Sequence, residues 1–289
     1  MAAWDLVLAI IPITALSVLA YLASHHLGNK IQRAGPLLFI ETLGLSLLFS
    51  WCFSGKLFWA NVMPTSGVVY WSNFTPILVA WAAGLACTVP GLDRWRRPAT
   101  VTVLGMIAAG YLLIPIARPL VSPATIASEA KWQDGVCLQS HASTCAAAAA
   151  ATLLHQQGIA ADERDMIRAC LTSSFGTEAL GLYRGLKLAT QRAGGHVRVA
   201  SANRHEWMAR KQLPNVALVR FANSPDSGSI RWLLGPRGEG HAVVVFGYQR
   251  GQWLIGDPAI GKVRWSDQDF RQRFTGDALY LSPSSSSGQ

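Results

Sequence analysis

The chain has 289 residues, is 51% apolar and only 14% charged, and carries a formal net charge of +9. That is too apolar for one ordinary soluble domain of this length, so part of it belongs in lipid. Residues 118–289 hold 19 Lys and Arg against 13 Asp and Glu, or +6 of the +9, in no cluster dense enough for nucleic acid; the excess suits anionic lipid headgroups.

Four apolar stretches, about 4–23, 36–53, 74–90 and 99–117, each come near the ~20 residues that a helix needs to cross hydrocarbon. The first has no basic segment before it and no small-residue cleavage pattern after it, so it reads as a span and not as a signal peptide. Lys30 and Arg33 follow span one, and Arg94, Arg96 and Arg97 precede span four, which turns those two loops toward the cytoplasm. Opposite them stand only Lys56, Arg118 and Lys131, so the C-terminal half is expected outside the cytoplasm. The aromatic stretch Leu57 to Trp71 reads as an interfacial segment, since only Ser72 and Asn73 separate it from the next span. Glu41 inside span two either marks a functional contact or faces the bundle interior, bonded to a neighbouring helix.

Residues 118–132 form a tether that, at ~3.3 Å per residue, keeps the C-terminal domain within ~50 Å of the bilayer. Beyond it, 142–156, 161–169 and 180–192 read as helices. Strands come next, at 197–200, 216–221, 242–248, 252–255, 262–265 and 278–281. Helices first and an antiparallel sheet afterwards is an α+β pattern. The run 283–289, rich in serine, is excluded from the fold as a disordered tail.

Ser143 or Thr144 is the expected N-cap of the first helix, which leaves Cys145 in its first turn. Unpaired N–H groups and the helix dipole favour a thiolate there. A nucleophilic cysteine also needs a base, a group that orients the base, and a donor for the oxyanion. His241 opens an apolar strand after the glycine-rich stretch Gly235 to Gly240, expected as a flexible loop. Asp257 sits in the turn after the following strand, within reach of an imidazole. Gln139 lies in the loop upstream of Cys145, where its amide can meet the same carbonyl oxygen. His141 is a rival base, but it stands only four residues before the nucleophile.

These residues resemble the bacteriocin-processing peptidases of family C39, within the papain-like cysteine peptidases. The likeness runs through Cys-Leu-Gln-Ser-His-Ala-Ser-Thr-Cys (137–145), the alanine-rich helix, Gly-Thr-Glu-Ala-Leu-Gly-Leu-Tyr-Arg-Gly-Leu (176–186), Gly-His-Ala-Val-Val-Val-Phe-Gly-Tyr (240–248) and Gly-Asp-Pro-Ala-Ile-Gly (256–261). It implies a C39-like domain over 133–282, with Cys145, His241 and Asp257 catalytic and Gln139 at the oxyanion, and it does not cover the membrane region over 1–117. Together with the apolar spans and the short tether, it leads us to expect a bacterial inner-membrane protein that acts on a membrane-proximal or exported peptide or protein. Such peptidases are often fused to exporters, but no Gly-Lys-Ser/Thr phosphate loop occurs here. The family usually has Gly after the catalytic Cys; this chain has Ala146, whose Cβ is expected to crowd a substrate backbone. That departure keeps two alternatives open: a non-catalytic module that binds a peptide or a membrane-protein partner, and an amidase or acyltransferase on the same fold.

Cys52 and Cys87 read as apolar filling in spans. Cys137 and Cys170 are candidates for a disulfide in an oxidising compartment, tying the oxyanion loop to the helical layer. His25 and His26 have no further ligands near them, and His155, His196 and His205 read as surface residues, so no metal or cofactor is expected.

Overall fold

The structure is a computed structural model that describes residues 4–31, 33–90, 92–126, 129–191, 193–221 and 239–282, in two compact units, Met1–Arg118 and Pro119–Gln289. In the first unit, helices α1 (Trp4–Lys30), α2 (Gly35–Cys52) and α6 (Arg96–Val121) are long and apolar enough to cross a membrane. Between them lie the short helices α3 (Trp59–Val62), α4 (Val68–Trp71) and α5 (Thr75–Ala86). The third expected span is therefore a 12-residue helix, α5, whose ~18 Å falls short of the ~30 Å of hydrocarbon.

Small residues set where α5 sits. It packs against α1 and α2, and eight of its residues are buried. A Cβ at Gly84 would lie 2.3 Å from the Tyr21 carbonyl oxygen, so only glycine lets α1 approach this closely. The aromatic stretch forms the two single-turn helices α3 and α4, where Trp59 makes ring contacts with Phe49, Phe58 and Phe74. Glu41 is exposed on α2, so its interior placement is corrected: neighbours at helical spacing, Leu37, Leu45 and Leu48, are exposed with it.

The second unit is α+β. A hairpin of β1 (Lys131–Gln133) and β2 (Val136–Leu138) leads through a 3-10 turn (Ala142–Thr144) into α7 (Cys145–Gln156), α8 (Glu163–Ala169) and α9 (Ala179–Gln191). The chain then forms β3 (His196–Val199), α10 (Glu206–Ala209), β4 (Asn215–Phe221), β5 (Glu239–Gln249), β6 (Gln252–Asp257), β7 (Gly261–Ser266), α11 (Asp267–Arg273) and β8 (Phe274–Ser282). Six strands make one antiparallel sheet in the order β3-β8-β4-β5-β6-β7.

The expected tether, 118–132, is shortened at both ends by α6 and β1. Residues 235–238 of the expected flexible loop and the tail 283–289 lie outside the described residues, while Gly240 already belongs to β5.

Composition explains the layering. Residues 145–154 of α7 are all buried, and their alanines bring the helix close against β5. Elsewhere the sheet packs on Trp207, Trp253 and Phe270, which meet at ring distances of 5.1–5.8 Å. Ala242 to Val245 are fully enclosed, which is why this central strand reads as an unbroken apolar run.

Candidate active site

Cys145 is the first residue of α7 and is 8% exposed. The turn before it is bound tightly to itself. His141 Nδ1 accepts the Ser143 N–H at 3.3 Å, while Thr144 Oγ1 donates to the His141 carbonyl at 2.9 Å and accepts the His141 N–H at 3.1 Å. Of the two expected caps, Thr144 occupies the N-cap of α7, with its hydroxyl closing the preceding turn, where His141 is the capping side chain. His141 is engaged there through its Nδ1.

His241 lies on β5 opposite Val219, with its side chain 11% exposed. Its Nε2 is 2.8 Å from Asp257 Oδ1, at the end of β6. The same carboxylate oxygen accepts the Ala259 N–H at 2.9 Å, so the turn after β6 fixes its orientation. Cys145 lies near enough to the imidazole to act on its ionisation, and the Phe221 ring lies 5.5 Å from it.

Burial alone would lower the pKa of His241. The hydrogen bonds to Asp257 and to Cys145, with the charges of both groups, outweigh it and raise the pKa to about 9. The protonated form of the imidazole, bonded to the Asp257 carboxylate, is therefore favoured at neutral pH.

Gln139 joins this group through its backbone: its N–H donates to the Pro258 carbonyl at 2.8 Å, next to Asp257. Its Oε1 is buried with no partner among the described residues, so the amide is uncommitted at that atom. Ala146, expected to crowd a substrate, is only 4% exposed; its Cβ is enclosed by the protein.

Cys137 and Cys170 are corrected: both are free thiols. Burial, reinforced by Glu163, pushes Cys137 up to about 12. Cys170 is also pushed to about 12 by burial, against the opposing charge of Arg184, and its sulfur fills the space beside Gly185. Each is packed into its own part of the core, Cys137 on β2 and Cys170 at the end of α8.

Sequence reasoning missed Glu163. It is 2% exposed, and its Oε1 accepts the Ser140 N–H at 2.8 Å, one residue after Gln139. Asp162 caps α8 by accepting the Asp165 N–H at 2.8 Å, which leaves Glu163 free to reach outward. A carboxylate at the first turn of a helix reads as dipole compensation, so nothing in the sequence signals this contact.

Residues 134–286 match the family model described as the Peptidase C39 family. No curated protein matches the chain. Among solved structures, a double glycine motif protease from an AMS/PCAT transporter, in complex with the leader peptide, is similar at 22% identity and a TM-score of 0.40, covering 51% of this chain and 90% of that one. The peptidase domain of Streptococcus ComA, a bifunctional ABC transporter, is 24% identical with a TM-score of 0.39, covering 50% and 96%. A C39-like peptidase from Bacillus anthracis is 16% identical with a TM-score of 0.39, covering 50% and 92%.

Proposed function

The chain belongs to the peptidase C39 family, and on that premise we propose that it is a membrane-anchored cysteine endopeptidase. The observation that carries the reading is the buried His241–Asp257 pair, bonded at 2.8 Å, with Cys145 at the head of α7 acting on the same imidazole. In this reading the Cys145 sulfur attacks the scissile carbonyl, His241 carries the proton to the leaving amine, and Asp257 keeps the imidazole oriented and charged. Gln139 donates to the oxyanion of the tetrahedral intermediate, and water then releases the acyl group from Cys145.

The substrate class we assign is a peptide or protein near the membrane or on its way out. Membership of a peptidase family supports a peptide substrate, and the transporter protease is one with a leader peptide bound. Helices α1, α2 and α6 support an anchor in a bacterial inner membrane.

Charge favours counting the whole segment 74–90, of which α5 is the helical part, as a fourth crossing. With four spans, Lys30, Arg33, Arg94, Arg96 and Arg97 face the cytoplasm against Lys56, Arg118 and Lys131 opposite, five to three. With three, Lys30, Arg33, Arg118 and Lys131 face four others, and no bias remains. The four-span arrangement puts the peptidase unit outside the cytoplasm.

Two experiments test this. Exported peptides from cells carrying Cys145→Ser should retain segments that the unaltered protein removes; identical profiles would sink the peptidase reading. A reporter active only in the cytosol, fused after Ser282, should stay silent, and a bright signal would turn the unit inward.

A further inference from the structure

We propose that Glu163 is a positioning residue for the oxyanion donor: its buried carboxyl group clamps the Ser140 N–H and so sets where the Gln139 amide stands. The inference rests on the reading of Gln139 as that donor.

The segment leading to Cys145 is held at successive residues. The Gln139 N–H is bound by the Pro258 carbonyl, the Ser140 N–H by Glu163 Oε1, and the His141 N–H by Thr144 Oγ1. The first of these ties the segment to the Asp257 turn, the third ties it to the nucleophile's own helix, and Glu163 ties it to α8.

A carboxyl group at 2% exposure is costly to bury, and its one bond to the Ser140 N–H returns only part of that cost. What the contact does supply is a fixed backbone next to Gln139, whose buried side chain has its Oε1 without a partner among the described residues. Displacement of an oxyanion donor by ~1 Å lowers a rate by up to ~10²-fold, whereas a thiol alkylated at a saturated carbon forms no oxyanion.

That contrast gives the test. With the full chain, acylation of Cys145 by p-nitrophenyl acetate is compared with its alkylation by iodoacetamide, for the unaltered protein, Glu163→Ala, Glu163→Gln, Gln139→Ala and the double variant Gln139→Ala/Glu163→Ala. Glu163→Ala should slow acylation by about 10- to 100-fold and leave alkylation within about twofold. Glu163→Gln, which keeps an Oε1 acceptor, should restore acylation to within about threefold. In the Gln139→Ala background the Glu163→Ala change should add almost nothing. Equal losses in acylation and alkylation, or full additivity with Gln139→Ala, would overturn the proposal. Failure of the underlying function shows elsewhere, as acylation of the unaltered protein no faster than that of Cys145→Ser.

Discussion

The two units use similar apolar side chains in opposite ways. Leu47 on α2 is 73% exposed and Leu113 on α6 is 59% exposed, whereas Leu153 and Leu154 on α7 are 0% exposed. In α1, α2 and α6 no more than 22% of the most apolar stretch is buried. Outward leucines over three long helices are tolerable where the surroundings are themselves apolar, and ruinous in water. The peptidase unit meets water, so it hides its leucines and builds a polar site from a few buried ionisable groups. A titratable residue therefore means different things in the two places: Glu41 stands on an exposed apolar helix, while Asp257 and His241 are buried together.

The comparison breaks first if the buried groups are not catalytic. Cys145→Ser or His241→Ala should lower acyl transfer at least about 10³-fold, measured as burst and turnover with an ester substrate. A smaller loss would make the site an ordinary buried cluster.

It breaks next if packing matters equally in both units. Leu153→Ala should destabilise the peptidase unit by about 2–5 kcal/mol in denaturant unfolding. Leu47→Ala should change stability by less than about 0.5 kcal/mol.

Acid–base behaviour sharpens it further. The pKa of His241 is raised in the folded state to about 9 from an ordinary 6.5. Its stabilising contribution is then complete below about pH 6.5 and is lost as pH rises through about 9. Thermal unfolding should fall across that window, and the fall should be smaller in His241→Ala. Activity should share the alkaline limb near pH 9, and Asp257→Asn should move it downward, because the largest contact that raises the pKa is gone.

The smallest effect concerns the surface. Asp267 is held down at about 2, chiefly by hydrogen bonds from Arg204 at 2.7 and 3.0 Å and also by one from Trp253. Its contribution is present above the usual carboxylate range and is lost as pH falls toward 2. Its side chain is 36% exposed, so Arg204→Ala should remove about 1 kcal/mol or less at neutral pH, read from denaturant midpoints.

Much of the peptidase unit was legible because its periods are strong. The apolar run Ala242 to Val245, rich in β-branched valine and bounded by glycines at 240 and 247, read as a buried strand, and the glycines at 194 and 195 marked the end of α9. The polar residues at 139, 145, 241 and 257 stood out against those runs. What escaped notice was short or depended on contacts distant in sequence. The three-residue strands β1 and β2 carry too few residues for a period. Helix α11 was announced by Ser266 capping Asp269 and could have been read from Ser-Asp-Gln-Asp. The shortness of α5 was hidden because a helix buried among helices and one that spans lipid share a composition. The Glu163 to Ser140 contact bridges 23 residues, and no local pattern encodes it.

The central claim, that His241 makes a nucleophile of Cys145, can be tested within one molecule. The peptidase unit holds three buried cysteines, and Cys137 and Cys170 are held at about 12 by burial. Iodoacetamide labelling of the native protein at pH 7, resolved by peptide mapping, should modify Cys145 at least about 100-fold faster than either, and His241→Ala should abolish that advantage. Equal labelling of the three thiols, or an advantage that survives His241→Ala, would contradict it.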